Sequence, residues 1–458
     1  MRSASPLALA AGAGGAALLI GSFFPIAALP QGGTGAKAAV FLLLIAAALL
    51  AVWLLHRAGY SSTPFWTALL PVGLAFFLRA VLLYYVADDY TIFLSQWVAT
   101  FRENGGFGAI KLSIGNYNVP YLYFLAAISY LPIPDLYLIK LFSIFFDVVQ
   151  AWGGLRLVRH FTGPRSTRPL ICFCALLLLP TVVLNGSLWG QCDALYGALT
   201  LHALVNALEN RPKSSAALLG VAFSFKLQTV FILPLWAVLW IARRTRFRDL
   251  LLFPAAYVLT CLPALLLGKP LGDILGVYVG QTQEGAGALN YNCASIFSMV
   301  PYGTQLGEAL WARVGILAAF ALVLVLLVLA ALFWDRLDDK ALLLCGVVLT
   351  VGVPFLLPYM HDRYYFLADV LTVSLACILP RSLPLAVLVQ LASFSAYLTY
   401  LRMKYTLVIS LGGHLFTMLL ESLLILAVLV TAIYVFTHHL TVNPRSSGEK
   451  NKKSRKCG

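Results

Sequence analysis

The sequence predicts an all-α, polytopic helical membrane protein, on three observations. Of 458 residues, 61% are hydrophobic and 11% charged, where a soluble domain carries about 25% charged residues. Apolar runs of about 20 residues, the length that crosses a bilayer as a helix, recur along the chain. The basic residues gather in short segments between alternate runs. No polar stretch is long enough for a soluble domain, and no period of 20–50 residues marks a solenoid.

About twelve full spans are expected, near 7–29, 38–56, 64–86, 136–158, 168–186, 190–208, 249–268, 310–334, 340–357, 364–380, 383–401 and 414–436. The first is followed almost at once by the second, so the pair reads as a transmembrane hairpin rather than a signal peptide. Residues 1–438 form a single transmembrane domain, and 439–458 a basic cytoplasmic tail. With the N-terminus inside, the inner side receives Arg2, Arg57, the stretch "RLVRHFTGPRSTR" (156–168), Arg211, Lys213, "RRTRFR" (243–248), Arg336, Lys340, Arg381 and the tail. That places 21 of the 32 Lys and Arg inside. The net charge of +14 is thus a topology signal with attraction to anionic lipid, and nucleic acid is not an expected partner. The eight cysteines are scattered and match no zinc or disulfide framework.

Two segments do not read as simple spans. "YNVPYLYFLAAISYLP" (117–132) is too short to cross, and is expected as a half-inserted outer helix. The segment 216–242 is long, but its two flanks are basic and belong inside. A hairpin of two short helices, with its tip near "FKLQT", satisfies both constraints. Such breaks are tolerated at membrane depth where they line a cavity enclosed by protein.

This topology sends the polar residues to one face. The outer side receives Asp88 and Asp89, the loop 101–118, "NGSLWGQCD" (185–193), the Lys226 hairpin tip, the long loop 269–309 and "PYMHDRYY" (358–365). Each has an ordinary reading when taken alone. The two acids could end a helix at water, Asp193 could cap the next helix, and Lys226 could snorkel. His361, Asp362 and Arg363 could form a surface turn, the tyrosines an interfacial belt, and Lys140 and Asp147 a buried structural pair to other helices. Joint placement on one face favours a site. A carboxylate there can accept a proton from a nucleophilic hydroxyl, and cations can hold a phosphate leaving group. Short, broken helices offer a path for a lipid-linked substrate.

The stretch 88–147 resembles the first outer loop and following span of bacterial integral membrane proteins related to the glycosylphosphatidylinositol mannosyltransferases, within the GT-C glycosyltransferases. "GSLWGQCDALY" (186–196), "FSFKLQTVFILP" (223–234) and "MHDRYYFLADVL" (360–371) continue the resemblance, which covers residues 60–380. It implies a GT-C-type fold with short re-entrant helices and an outer-face loop region. It implies inverting transfer of a hexose, often mannose, from a polyprenyl-phosphate donor to a lipid, glycan or protein acceptor, with no cofactor and no metal. The bacterial plasma membrane is the implied location, with the active site outside. Asp89 matches the presumed base, and Asp88 is its neighbour. Gln191, Asp193, Lys226, Gln228, His361 and Arg363 match pocket positions, with Tyr117 and Asn118 on the outer loop beside them. Relatives carry Glu where Asp362 stands, so the acid here is one methylene shorter. Two other classes compete: a transporter or flippase of solutes or lipid-linked sugars, since Arg79 and Lys226 lie at membrane depth, and a structural subunit that keeps the fold without activity.

Overall fold

The computed structural model describes residues 4–60, 62–284, 289–299, 308–401, 408–411 and 414–442. Residues 443–458 of the expected tail, and 285–288 and 300–307 of the long loop, lie outside the described residues. Apart from short pairings at Asn290–Tyr291 with Met360–His361, and at Val408–Leu411 with His414–Thr417, the described chain is helices and their connections.

Nine helices among the described residues are long and apolar enough to cross a membrane: Pro6–Ala27, Thr34–Arg57, Thr63–Leu82, Asp135–Thr162, Phe247–Leu266, Ala309–Leu332, Asp339–Leu356, Pro380–Tyr400 and Leu419–Val442. The run expected at 168–186 is two helices, Arg168–Leu178 and Pro180–Trp189, bent by 47°. Pro180 explains the break: it lacks an N–H for the helical ladder and forces Leu179 out of helical geometry, to ψ 122°. The runs expected at 190–208 and 364–380 are shorter than a full span. They form Asp193–Leu208, with 16 residues, and Phe366–Ile378, with 13. At 1.5 Å per residue these cover about 24 and 20 Å of a hydrocarbon core about 30 Å thick. In both, the N-terminal residues are taken into the loops that carry "GQCD" and "HDR".

Of the two irregular segments, the first holds a short helix and the second a helical hairpin with its tip at Lys226, as expected of its shape. Val119–Ile128 is a ten-residue helix. Residues 212–241 fold as Pro212–Phe225, an extended Lys226, one turn at Leu227–Phe231 and a second helix Pro234–Ile241.

Burial separates an inner from an outer set of helices. The apolar window of Asp339–Leu356 is 83% buried and that of Asp135–Thr162 72%, whereas Phe247–Leu266 is 17% buried and Ala309–Leu332 22%. The outer helices present Leu, Val and Phe to their surroundings, as a lipid-facing helix does. The first hairpin packs on Thr63–Leu82 backbone to backbone: a Cβ on Gly73 would stand 2.2 Å from the Gly15 carbonyl oxygen, so both positions need glycine.

Several charges inside the bundle are paired or hydrogen-bonded. Arg79 is fully buried. Its Nε and Nη2 reach Asp147 Oδ2 at 3.1 and 2.9 Å, and its Nη1 reaches the carbonyls of Ala75 and Leu177 at 3.0 and 2.7 Å. Lys140, on the same helix as Asp147, donates to the carbonyls of Leu82, Leu83 and Tyr85 at 3.4, 3.0 and 2.6 Å. Asp147 and Lys140 thus each serve as a buried structural partner of a neighbouring element, one of the two readings expected for them.

Candidate functional site

The bundle alternates in direction, so the C-terminal ends of Thr63–Leu82, Pro212–Phe225, Asp339–Leu356 and Pro380–Tyr400 emerge where Asp135–Thr162, Asp193–Leu208 and Phe366–Ile378 begin. The polar motifs stand at these ends, and the structure joins most of them into one cluster.

Asp89 sits on the first turn of the helical stretch 88–103 that follows Thr63–Leu82. Trp189 Nε1 donates to its Oδ2 at 3.0 Å, the Gln191 side-chain amide donates to the same oxygen, and the Tyr400 hydroxyl donates to Oδ1. Its neighbour Asp88 is half-buried, and its carbonyl accepts from Thr91 Oγ1 at 3.0 Å. The three donors to Asp89 come from two parts of the chain far from it in sequence.

Asp193 is the second carboxylate. Its Oδ1 pairs with Lys226 Nζ, and its Oδ2 accepts from Asn185 Nδ2 at 2.7 Å and lies 3.8 Å from Arg363 Nε. One buried carboxylate thus holds both cations. Arg363 also stands 3.7 Å from Asp362 Oδ1 and lies over the Trp189 ring at 5.3 Å. At these separations Arg363 makes no close hydrogen bond to either acid, and its buried Nε has no hydrogen-bond partner. Lys226 Nζ lies 5.9 Å from the Tyr117 ring, and the Tyr117 hydroxyl donates to Gln191 Oε1 at 3.3 Å.

The "HDR" loop is fastened from outside its own helices. Asn290–Tyr291 pairs with Met360–His361 as a short parallel ladder, the Asp362 N–H donates to the Tyr291 carbonyl at 3.0 Å, and the Tyr365 hydroxyl donates to the Ala294 carbonyl. His361 stacks on Tyr291, with ring centroids 4.8 Å apart and planes at 14°. Burial, aided by the nearby Arg363 and Lys226 charges, pushes His361 down to about 3, so it is neutral near pH 7. Burial also raises the Asp362 carboxyl to about 8, with Asp89 and Asp193 adding to the shift and Arg363 opposing it.

One helix positions much of this. From Asp135–Thr162, Asp135 Oδ2 accepts from the Tyr90 hydroxyl at 3.0 Å, Lys140 holds the turn before Asp88, and Ser143 Oγ donates to the Gln191 carbonyl. Gly190, at φ 81°, turns the chain past Lys140 in the left-handed region that glycine alone adopts freely.

Among the residues expected from sequence, Asp89, Gln191, Asp193, Lys226, Tyr117, Arg363 and His361 converge. Gln228 is buried two residues beyond Lys226, with Oε1 lacking a hydrogen-bond partner. Asn118 is not brought in. Its Oδ1 caps Val119–Ile128 and its Nδ2 faces the Tyr257 and Tyr278 hydroxyls at 3.3 and 3.4 Å, so its side chain is committed elsewhere. Asn185, Trp189 and Tyr400 are additions that sequence reading did not single out. Tyr400 closes a span whose C-terminal end falls on the same side as Asp89, and that alternation is the one signal that could have found it.

Among the described residues, no three His, Cys, Asp or Glu side chains converge as a metal-ligand set. The arrangement supplies a hydrogen-bonded carboxylate beside two cations, which suits deprotonating a hydroxyl while an anionic group leaves.

Residues 116–358 match the family model described as Glycosyltransferase family 87. The matched stretch carries Tyr117, Asn118, Gln191, Asp193, Lys226 and Gln228, while Asp88, Asp89, His361, Arg363 and Tyr400 lie beyond its limits. No curated protein matches the chain.

Proposed function

Since the chain belongs to glycosyltransferase family 87, we propose that it moves a mannose-like hexose from a polyprenyl-phosphate donor to a hydroxyl of a lipid, glycan or protein acceptor. It is a multi-pass integral membrane protein and a glycosyltransferase. The donor, the inversion, the GT-C-type mechanism and an extracytoplasmic site belong to the proposal. The resemblance to polyprenyl-phosphate-dependent enzymes supports the donor, and the distribution of basic residues supports the outward face.

The observation that carries the reading is that the Trp189–Gln191 segment donates to Asp89 while Arg363, held at Asp193 with Lys226, lies over the Trp189 ring. In this mechanism Asp89 takes the proton of the acceptor hydroxyl as its oxygen attacks the anomeric carbon. The bond from that carbon to the phosphate oxygen breaks on the opposite face, which inverts the configuration. The departing phosphate gains negative charge, which the guanidinium of Arg363 and the ammonium of Lys226 stabilise in a site with little water. Arg363 is the better placed of the two for first contact, because its buried Nε has no hydrogen-bond partner.

The test uses purified protein with labelled polyprenyl-phosphate sugars in detergent and in sealed vesicles. Loss of label from the donor, abolished in Asp89→Asn while the variant still inserts and runs as a folded species, is the expected result. Turnover retained in Asp89→Asn would remove that residue as base. Movement of intact donor across the vesicle without cleavage would replace transfer by transport.

A further inference from the structure

At the end of the bundle opposite Asp89, the turns around 209–214 and 242–249 enclose a concavity of about 620 Å³. Arg211, Lys213, Arg243, Arg244, Arg246 and Arg248 line it, and Asp249 is the one acid among the lining residues. Asp249 is occupied locally, accepting from the Arg246 backbone N–H at 3.3 Å. Some of the cations are also committed. Arg244 Nη2 pairs with Asp339 Oδ1 at 2.6 Å, Arg243 lies over the Trp334 ring at 4.1 Å, and Arg211 shares Glu209, at 3.6 Å, with Arg156. Lys213, Arg246 and Arg248 make no ion pair among the described residues. A positive-inside bias requires basic residues on this side. It does not require six of them to face one cavity with so little opposing charge.

The surface leading away from the cavity is apolar. The helix Phe247–Leu266 starts at its rim, where Phe247 and Leu251 are 64% and 53% exposed and Trp240 packs edge-on against Phe247. Further along that helix lies an open groove of about 420 Å³ lined by Pro254, Ala255, Val258, Leu259 and Leu262. From Pro254 to Leu262 the helix advances about 12 Å. A cationic basin, an aromatic rim and an apolar track on one helix match the headgroup, interface and tail of an amphiphile.

We propose that this is a binding site for an anionic phospholipid, with the headgroup phosphate held by Lys213, Arg246 and Arg248 and one acyl chain lying along the groove on Phe247–Leu266. The site is independent of the transfer reaction and stands at the other end of the molecule. A free inorganic phosphate would satisfy the basin but not the groove, and this separates the two sources of the same anion.

Native mass spectrometry of the full-length protein in neutral detergent tests the proposal, with phosphatidylglycerol, phosphatidylcholine and inorganic phosphate offered separately and in competition. Phosphatidylglycerol is expected to be retained about tenfold more than phosphatidylcholine, and excess inorganic phosphate should not displace it. Lys213→Gln, Arg246→Gln and Arg248→Gln together should erase the preference. Removing three cations elsewhere on the same side (Arg57→Gln, Arg165→Gln and Arg381→Gln) should leave it intact. Leu259→Trp fills the groove without changing any charge and should lower phosphatidylglycerol retention, which keeps the test open if the triple pocket variant fails to insert. Displacement by inorganic phosphate, equal loss in both triple variants, or undiminished retention in Leu259→Trp would each overturn the proposal.

Discussion

Asp89 can accept about four hydrogen bonds, and Trp189, Gln191 and Tyr400 make three of them. Two go to Oδ2 and one to Oδ1, so the direction left for an incoming hydroxyl is on Oδ1. Its neighbours carry testable consequences. Asp362 ordinarily titrates at 3.8 and is raised to about 8. The folded chain therefore holds a proton in that interval that the unfolded chain has released. This contribution to stability is complete below pH 3.8 and is lost as pH rises to about 8. Within the site, neutral Asp362 leaves two carboxylates, Asp89 and Asp193, balanced by Lys226 and Arg363. Ionisation tips the balance against the anionic donor proposed above. Donor KM is expected to rise as pH passes about 8, and Asp362→Asn should flatten that rise, as pH-rate profiles of both proteins would show. Lys226→Ala should weaken use of donor more than of acceptor, and an equal loss for both would count against phosphate holding. Seven of the ten expected site residues converge here: topology sends the rare charged groups to one face, and the family resemblance adds Gln191 and selects Asp89. Trp189 and Tyr400 escaped notice because aromatic residues at span ends are ordinary in membrane proteins.

At the scale of elements, Asp135–Thr162 does more than cross the bundle. Its Lys140 ties three carbonyls at the end of Thr63–Leu82, and those carbonyls belong to the turn that presents Asp88 and Asp89. Lys140→Met keeps the length and apolar volume of the side chain and removes the three bonds. It should lower kcat about tenfold or more with little change in donor KM, since a misplaced base slows chemistry and not binding. Lys140→Arg, which retains the donors, should recover part of the loss. The long helices and the two irregular segments were legible in the sequence, because apolar run length and flanking charge mark them directly. The short forms of Asp193–Leu208 and Phe366–Ile378 were not. Their apolar runs continue through residues that the fold assigns to loops, so run length alone does not mark where each helix begins. The pairing of Asn290–Tyr291 with Met360–His361 was equally hidden, since two residues carry no readable alternation.

The whole molecule has one end rich in carboxylates, aromatics and paired cations, and another carrying an arginine-lined basin. If the first end faces outward, a cysteine placed at position 88 in a cysteine-free background should react with a membrane-impermeant maleimide in intact cells. Labelling only after permeabilisation would reverse the orientation. The site also has a chronology written into it. Lys226 and Asp193 are 33 residues apart, Asp89 and Gln191 are 102 apart, and Asp89 and Tyr400 are 311 apart. During synthesis from the N-terminus, the Lys226–Asp193 pair can form first, Arg363 can arrive only when the later helices dock, and Tyr400 closes on Asp89 last. A nascent chain therefore carries these carboxylates and the lysine long before they are aligned; with Asp89 as the proposed base, turnover waits for the last of them. On that proposal, docking of the helix Pro380–Tyr400 is the event that completes the site.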